Sequence, residues 1–291
     1  MISFFKQTFQ EFSEDSCTRM AAALSYFTVF ALPPLFVILL MVLGLTYRAT
    51  GQGGDEAARV QMEEQIATLV GPAASKQVKG LIANAGLEGS SMSTWLISLA
   101  GVLVAATGLV GALQDTLNET WGVKPDPAQG GFRIFLFKRI VSLGMILAVA
   151  FILLVSTLLT TWIGGVVGAG SALVADSVSF LVVTLLFAAM FKYLPDAEIR
   201  WKDVLVGAFV TALLFTAGKY GLSMYLSQGK FESQFGAAAS LALLLVWVYY
   251  SSIILLYGAE FTQVWAKRYG EGIRPERGAV RVIRETKAAP A

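Results

Sequence analysis

The chain has 291 residues, of which 56% are hydrophobic and only 14% charged, where a soluble domain carries about a quarter. A single cysteine, Cys17, and no histidine exclude a disulfide framework and the usual zinc or nucleophile-base constellations, so any metal chemistry would rest on carboxylates. The formal net charge of +2 leaves no global basic field to attract nucleic acid, and the balance as a whole reads as a membrane protein.

The N-terminus, MISFFKQTFQEFSEDSCTRM, interleaves acids ahead of the first apolar run. That run is too long for a signal-peptide core, so no cleavage is expected. Phe5, Phe9 and Phe12 recur at helical spacing, which predicts either an interfacial helix lying on the membrane or a helix packed on the cytosolic face of the protein's own bundle.

A bilayer core of roughly 30 Å needs about 20 apolar residues of helix, and six runs satisfy this, near 22–47, 93–113, 139–163, 174–193, 204–227 and 238–265. In the first, Pro33 and Pro34 are adjacent near the middle and must bend or break the helix. The carbonyls they free need partners within the bilayer, and Ser25, Tyr26 and Thr28 lie on the preceding turns. Broken helices at mid-membrane often line substrate sites; a kink that only shapes packing is the plainer alternative.

The connection 48–92 is too long for a passive turn. DEAARVQMEEQIATLVG and PAASKQVKGLIANAG within it read as short amphipathic helices, the second started by Pro72, forming a lid over the outer mouth or a structural cap. The second apolar run ends in GALQDTLNETWGV. At about 100° per residue, Gln114, Asp115, Asn118, Glu119 and Trp121 share one arc of roughly 140°, with Leu113 and Leu117 opposite. Carboxylates at a helix C-terminus oppose the macrodipole by about 0.3–1 kcal/mol each. Cation partners are therefore expected from Arg19, Arg133, Lys138, Arg139, Lys192, Arg200 and Lys202. The face is a charge clamp between helix ends or a cytosolic gate and vestibule.

Further on, GGVVGAG makes the second outer connection, and FKYLPDAEIRWKDV an inner turn in which Pro195 ends one helix and Asp196 caps the next. Gly207, Thr211, Gly218 and Gly221 align near one face of the fifth run, which would let a neighbour approach closely. Lys219 lies in its outer half, where a cation must be paired, hydrated or snorkelling; it either reaches the outer surface or lines a polar cavity. Glu260 lies near the inner end of the sixth run, too deep for Lys219, and is expected to join Asp115 and Glu119. The basic tail carries Arg277, Arg281 and Arg284 at helical spacing, which could touch anionic lipid; a solvated, disordered tail is the alternative.

With both termini inside, sixteen Lys and Arg fall on cytosolic segments, and only Arg48, Arg59, Lys76, Lys79 and Lys230 on the other side, which sets the orientation by the positive-inside rule. The predicted fold is an all-α polytopic membrane protein with six transmembrane helices and cytosolic N and C termini. It comprises a cytosolic amphipathic segment 1–21, a transmembrane domain 22–265 with a helical outer loop 48–92, and a basic cytosolic tail 266–291.

At AAALSYFTVFALPPL, ALQDTLNETWGV, KYLPDAEIRWKDVLVGAFVTALLFTAGKYGLSMYL and FGAAASLALLLVWVYYSSIILLYGAE, the chain resembles the BrkB/YihY family of bacterial inner-membrane proteins, over about residues 15–267. The resemblance implies six transmembrane helices and a bacterial cytoplasmic (inner) membrane. It implies links to serum resistance and envelope lipid traffic, and it transfers no site residues. The family has also been labelled ribonuclease BN, and this sequence argues against that label: it has no histidine, no metal-ligand spacing and no basic groove with interleaved aromatics. A two-metal nuclease would have to use Asp115, Glu119, Asp126, Asp196 and Asp203.

The expected function is therefore a permease or translocator of a lipid or small molecule, with Pro33, Pro34, Ser25, Tyr26, Gln114, Asp115, Asn118, Glu119, Lys219 and Glu260 as pathway or gate residues. The alternative is a non-transporting membrane scaffold or envelope assembly factor, and a ribonuclease comes third. No enzyme activity, cofactor, metal or nucleic-acid partner is expected; membrane lipids and a solute or lipid substrate are, and the oligomeric state is open.

Overall fold

Apolar runs bounded by charge become long helices. The computed structural model describes residues 2–29, 60, 108–126, 171–226 and 239–282. Pro33, Pro34, the outer loop apart from Val60, and the run 139–163 lie outside the described residues. In chain order the helices are α1 Ile2–Glu14, α2 over 17–29 and α3 over 108–120, α4 Ser171–Tyr193, α5 Trp201–Leu226 and α6 Ala239–Tyr269. Within the last three, Asp176–Tyr193, Trp201–Leu222 and Ala242–Tyr269 are long and apolar enough to cross a membrane.

α4 matches its expected run closely, but α6 continues past the expected end at 265 to Tyr269. At 1.5 Å per residue it is roughly 46 Å long, more than a bilayer core requires. Its surplus turns are covered by protein. α1 runs antiparallel along them, and the Phe4 ring meets Phe261 at 4.9 Å, Trp265 at 6.1 Å and Tyr269 at 6.4 Å, while Phe12 meets Tyr257 at 6.0 Å. The buried stripe of α1 is thus Phe4, Thr8 and Phe12, one turn apart. Of the predicted Phe5, Phe9 and Phe12 stripe, Phe5 and Phe9 instead point outward, 50% and 65% exposed. One face of α1 packs on the bundle, and the other offers aromatic rings to its surroundings.

α1 ends in an elbow at Asp15 and Ser16, where Ser16 takes a left-handed φ of 54°. α2 then begins at residue 17 rather than near 22 and runs antiparallel to α6, from Cys17 beside Glu260 to Val29 against Leu244 and Val248. α3 likewise outlasts its expected end at 113. The polar stretch forms its last turns, and Gly122, with φ 63°, supplies the reversal beyond them.

α5 and α6 lock by a reciprocal device. A side chain on Gly207 would collide with Thr262, and one on Gly258 would collide with Thr211, so each helix presents a glycine to the other's threonine. Both hydroxyls are satisfied within their own helices, Thr211 donating to the Gly207 carbonyl at 2.7 Å and Thr262 to the Gly258 carbonyl at 2.6 Å. Gly218 accommodates Tyr250 in the same way, while Gly221 faces open space. Three of the four predicted small-face residues therefore form the seam.

The described part of the tail departs from both of its expected states. Residues 270–282 are neither helix nor disordered coil; they form two short antiparallel ladders with the bundle's turns, so the fold is helical with a small β element. β1 Val123–Pro125 pairs with β4 Ala279–Arg281 in the register Lys124 to Val280, and β2 Ala197–Glu198 pairs with β3 Arg274–Pro275. Arg277 sits at the turn beside Gly278, whose φ is 87°. Arg281 donates to the Ile273 carbonyl at 2.8 Å. Proline and glycine at that turn break the helical register that the arginine spacing suggested; Arg284 lies outside the described residues. These ladders, α1, the end of α3 and the α4–α5 turn all meet at one end of the bundle, which also carries Lys192 and Arg200. It is called the basic end below. The buried cluster there draws on α2, α3, α4, α5 and α6, with Leu24, Leu117, Phe191, Val204 and Leu256 fully enclosed.

Candidate functional site

The predicted pathway residues fall into separate groups. On α3, Gln114 and Asn118 are one turn apart and both grasp Asp196 in the α4–α5 turn. Gln114 donates to Asp196 Oδ1 at 3.0 Å, Asn118 donates to Oδ2 at 2.8 Å, and the Asp196 amide donates back to Asn118 Oδ1 at 2.7 Å. Asp196 therefore does not cap α5, which begins only at Trp201. The amides of the polar face thus hold a carboxylate of the α4–α5 turn. Asp115 and Glu119 are exposed on its flank, whereas Asn118 and Trp121 are buried, so the arc divides. Two of the expected cations are engaged elsewhere: Lys192 donates to the Ile199 carbonyl at 2.7 Å, and Arg200 pairs with Glu271 at 3.2 Å.

Glu260 does not join Asp115 and Glu119. It lies on the inward face of α6, fully buried, and its Oε1 accepts the Cys17 thiol at 3.6 Å. Its Oε2 has no hydrogen-bond partner among the described residues, and neither does the buried Thr120 hydroxyl. α3 docks beside it: Trp121 Nε1 donates to the Ala259 carbonyl at 3.1 Å, and Gln263 Nε2 donates to the Thr120 carbonyl at 2.8 Å. Burial, with the Glu260 carboxyl next in effect, pushes the Cys17 thiol up, so it remains protonated. An ionisable group fully enclosed among apolar helices is costly and marks a working site more often than a structural one.

Lys219 is far from this centre. It is half-buried with its Nζ 5.1 Å from the Tyr220 ring centroid, and Asp176, at the start of the α4 span, is the acid that attracts it. On α2, Ser25 is buried and donates to the Ala22 carbonyl at 2.7 Å, and Thr28 to the Leu24 carbonyl at 2.7 Å. Their hydroxyls thus serve carbonyls earlier than those Pro33 and Pro34 would free. Tyr26 is exposed and meets Phe27 edge-on at 5.9 Å.

The sequence reading missed Cys17 as the partner of Glu260, Asp196 as the acceptor of the α3 amides, and a cleft of about 450 Å³ lined by Lys192, Tyr193, Arg200, Glu271, Arg274 and Glu276. A signal for the cleft existed in GEGIRPERGAVR, whose glycine and proline punctuate short strands. No sequence signal brought Cys17 to Glu260, because their contact depends on how α2 crosses α6. Among the described residues, no three Asp, Glu or Cys come together in a way that could hold a metal ion.

Helices of this length and apolarity, enclosing a buried carboxyl and closed at one end by loops and tail, define an integral membrane protein with several spans. The chain belongs to the family described as Virulence factor BrkB, whose profile matches residues 8–282. A protein named UPF0761 membrane protein from Verminephrobacter eiseniae is 29% identical over 261 residues, covering 88% of this chain and 60% of the relative. Proteins of the same name from Alcanivorax borkumensis and Alkalilimnicola ehrlichii are 24% and 28% identical, covering 90% and 94% of this chain and 60% and 62% of their own lengths. The chain thus spans about 60% of the length of these curated relatives. No solved structure matches it.

Proposed function

We propose that this chain is a six-span protein of the bacterial inner membrane, with N and C termini in the cytosol, that moves a lipid or small molecule across the bilayer. In this reading it is a permease or translocator and not an enzyme. The six-span count has support from parity. α2 leaves the basic end and α3 returns to it, α5 and α6 form a pair, and α4 starts at the far end; the sequence between α3 and α4 contains an apolar run, 139–163, of the length one crossing requires. The excess of Lys and Arg at the basic end supports a cytosolic location for that end.

The observation that carries the transport reading is Glu260, a fully buried carboxyl on a span helix with an unpartnered oxygen. The test is purified protein in vesicles, screened against a panel of lipids and small solutes. Wild type should move one class of them, and Glu260→Gln should abolish that movement while keeping the same thermal midpoint. No movement by wild type anywhere in the panel would remove the reading. A scaffold role is favoured by one observation, the tight closure of the basic end by α1 and the tail ladders. It predicts a partner that stays bound through purification.

A further inference from the structure

Glu260 is enclosed in an unusual way. A buried carboxylate that serves only the fold is paired with a cation or surrounded by N–H donors. Here the donor is a thiol at 3.6 Å, the hydrogen-bonding neighbour from the arm is a second acid, Asp15, and Oε2 has no partner among the described residues. The charged groups that bear on it from the N-terminal arm are acids, Asp15 and Glu11. From α3 come Thr120 and Trp121, which do not ionise, and on its own helix Lys267 turns to Glu11 at 3.9 Å. On the side of the N-terminal arm the cover is one joint: α1 lies over α6 and meets α2 at the Asp15–Ser16 elbow, where Ser16 holds the left-handed φ of 54° that L side chains adopt only at a cost. A loaded hinge therefore sits directly over the buried acid.

We propose that Glu260 is a proton-binding site and that α1, swinging on the Asp15–Ser16 elbow, is the gate between that site and water. While the carboxyl holds its proton, the thiol contact and the aromatic seam keep the arm down. When the proton passes to water on the arm's side, the carboxylate repels Asp15 and Glu11 and draws solvent, and the arm lifts. As the coupling ion of a transport cycle the proton rests on the transport reading above; as the trigger of the gate it does not.

Cys17 is the only cysteine in the chain and is fully buried beneath the elbow, so its labelling by a neutral maleimide reports the arm directly. Full-length protein is labelled across a pH series, and wild type is compared with Glu260→Gln at each pH. The two should match in acid. In alkali, wild type should label about tenfold faster, within the usual range for coupled sites. Simple electrostatics has the opposite sign, since loss of the neighbouring carboxylate makes the thiol easier to ionise. Glu260→Gln labelling as fast as wild type, or faster, at every pH would therefore overturn the gate. Asp15→Asn gives a second reading that keeps the Glu260 carboxyl and removes the charge it would repel: it should reduce the alkaline rate, and an unchanged or higher rate would count against the proposal. Vesicles that move solute yet ignore an imposed pH gradient would overturn the coupling role, whereas vesicles that move nothing would overturn the transport reading instead.

Discussion

Individual side chains at the basic end divide into those that bind the helices together and one that strains them. Gln114 and Asn118 turn an otherwise awkward polar helix end into a clamp, because two amides one turn apart match the two oxygens of Asp196. Cys17 behaves as a small hydrophobe whose neutral form the fold prefers, and this has a pH consequence. Burial, with Glu260 beside it, raises the thiol above its ordinary value of 9.0. The folded state then holds a proton that the unfolded chain releases, so the stabilisation is fully present below the ordinary value and is lost as pH rises past it. Thermal midpoints of the purified protein should fall through this alkaline window, and Cys17→Ala should flatten the fall. An identical alkaline slope in the variant would show that the thiol is not the group responsible.

At the scale of elements, close approach of α5 and α6 depends on the Gly207–Thr262 and Thr211–Gly258 contacts. A methyl at Gly258 would collide with the Thr211 side chain, whose hydroxyl is held in place by its bond to the Gly207 carbonyl. Gly258→Ala should destabilise by about 1–3 kcal/mol, the usual cost of overpacking, and Thr211→Ala in the same chain should recover part of the loss, a coupling that a double-mutant cycle measures directly. Additive effects of the two changes would place the strain elsewhere. This seam was legible in the sequence, because Gly207, Thr211 and Gly218 repeat at helical spacing and small residues have one obvious use between membrane helices. The helix ends were less legible. Hydropathy marks where lipid could surround a helix, whereas α3 and α6 continue as long as protein surrounds them: the last turns of α6 lie under Phe4, and those of α3 bind Asp196. The tail strands were illegible for a related reason, since two- and three-residue strands exist only because the turns at Val123 and Ala197 offer them edges.

For the whole molecule, those edges bear on orientation. A β ladder cannot form across a bilayer, so the tail, the turn after α3, the turn between α4 and α5, and α1 on the end of α6 must share one side of the membrane. The sequence reached the same grouping independently through its distribution of Lys and Arg, and the agreement is informative because charge counts and hydrogen-bonded register rest on different physics. The sequence also separated Lys219 from Glu260 by depth, but it could not place Glu260 beside Cys17 under the elbow, because that contact follows from packing, which periodicity does not encode. If the basic end faces the cytosol, a reporter that matures only there should be active when fused after Val282, and an export-dependent reporter at the same junction should be silent. Because the ladders tie the tail to both turns, reporters inserted after Pro125 and after Glu198 must give the same sidedness as the tail. Opposite answers from the tail and either turn would mean that the strands do not pair in the membrane, and the gate at Glu260, which needs α1 and α6 on that same side, would lose its geometry with them.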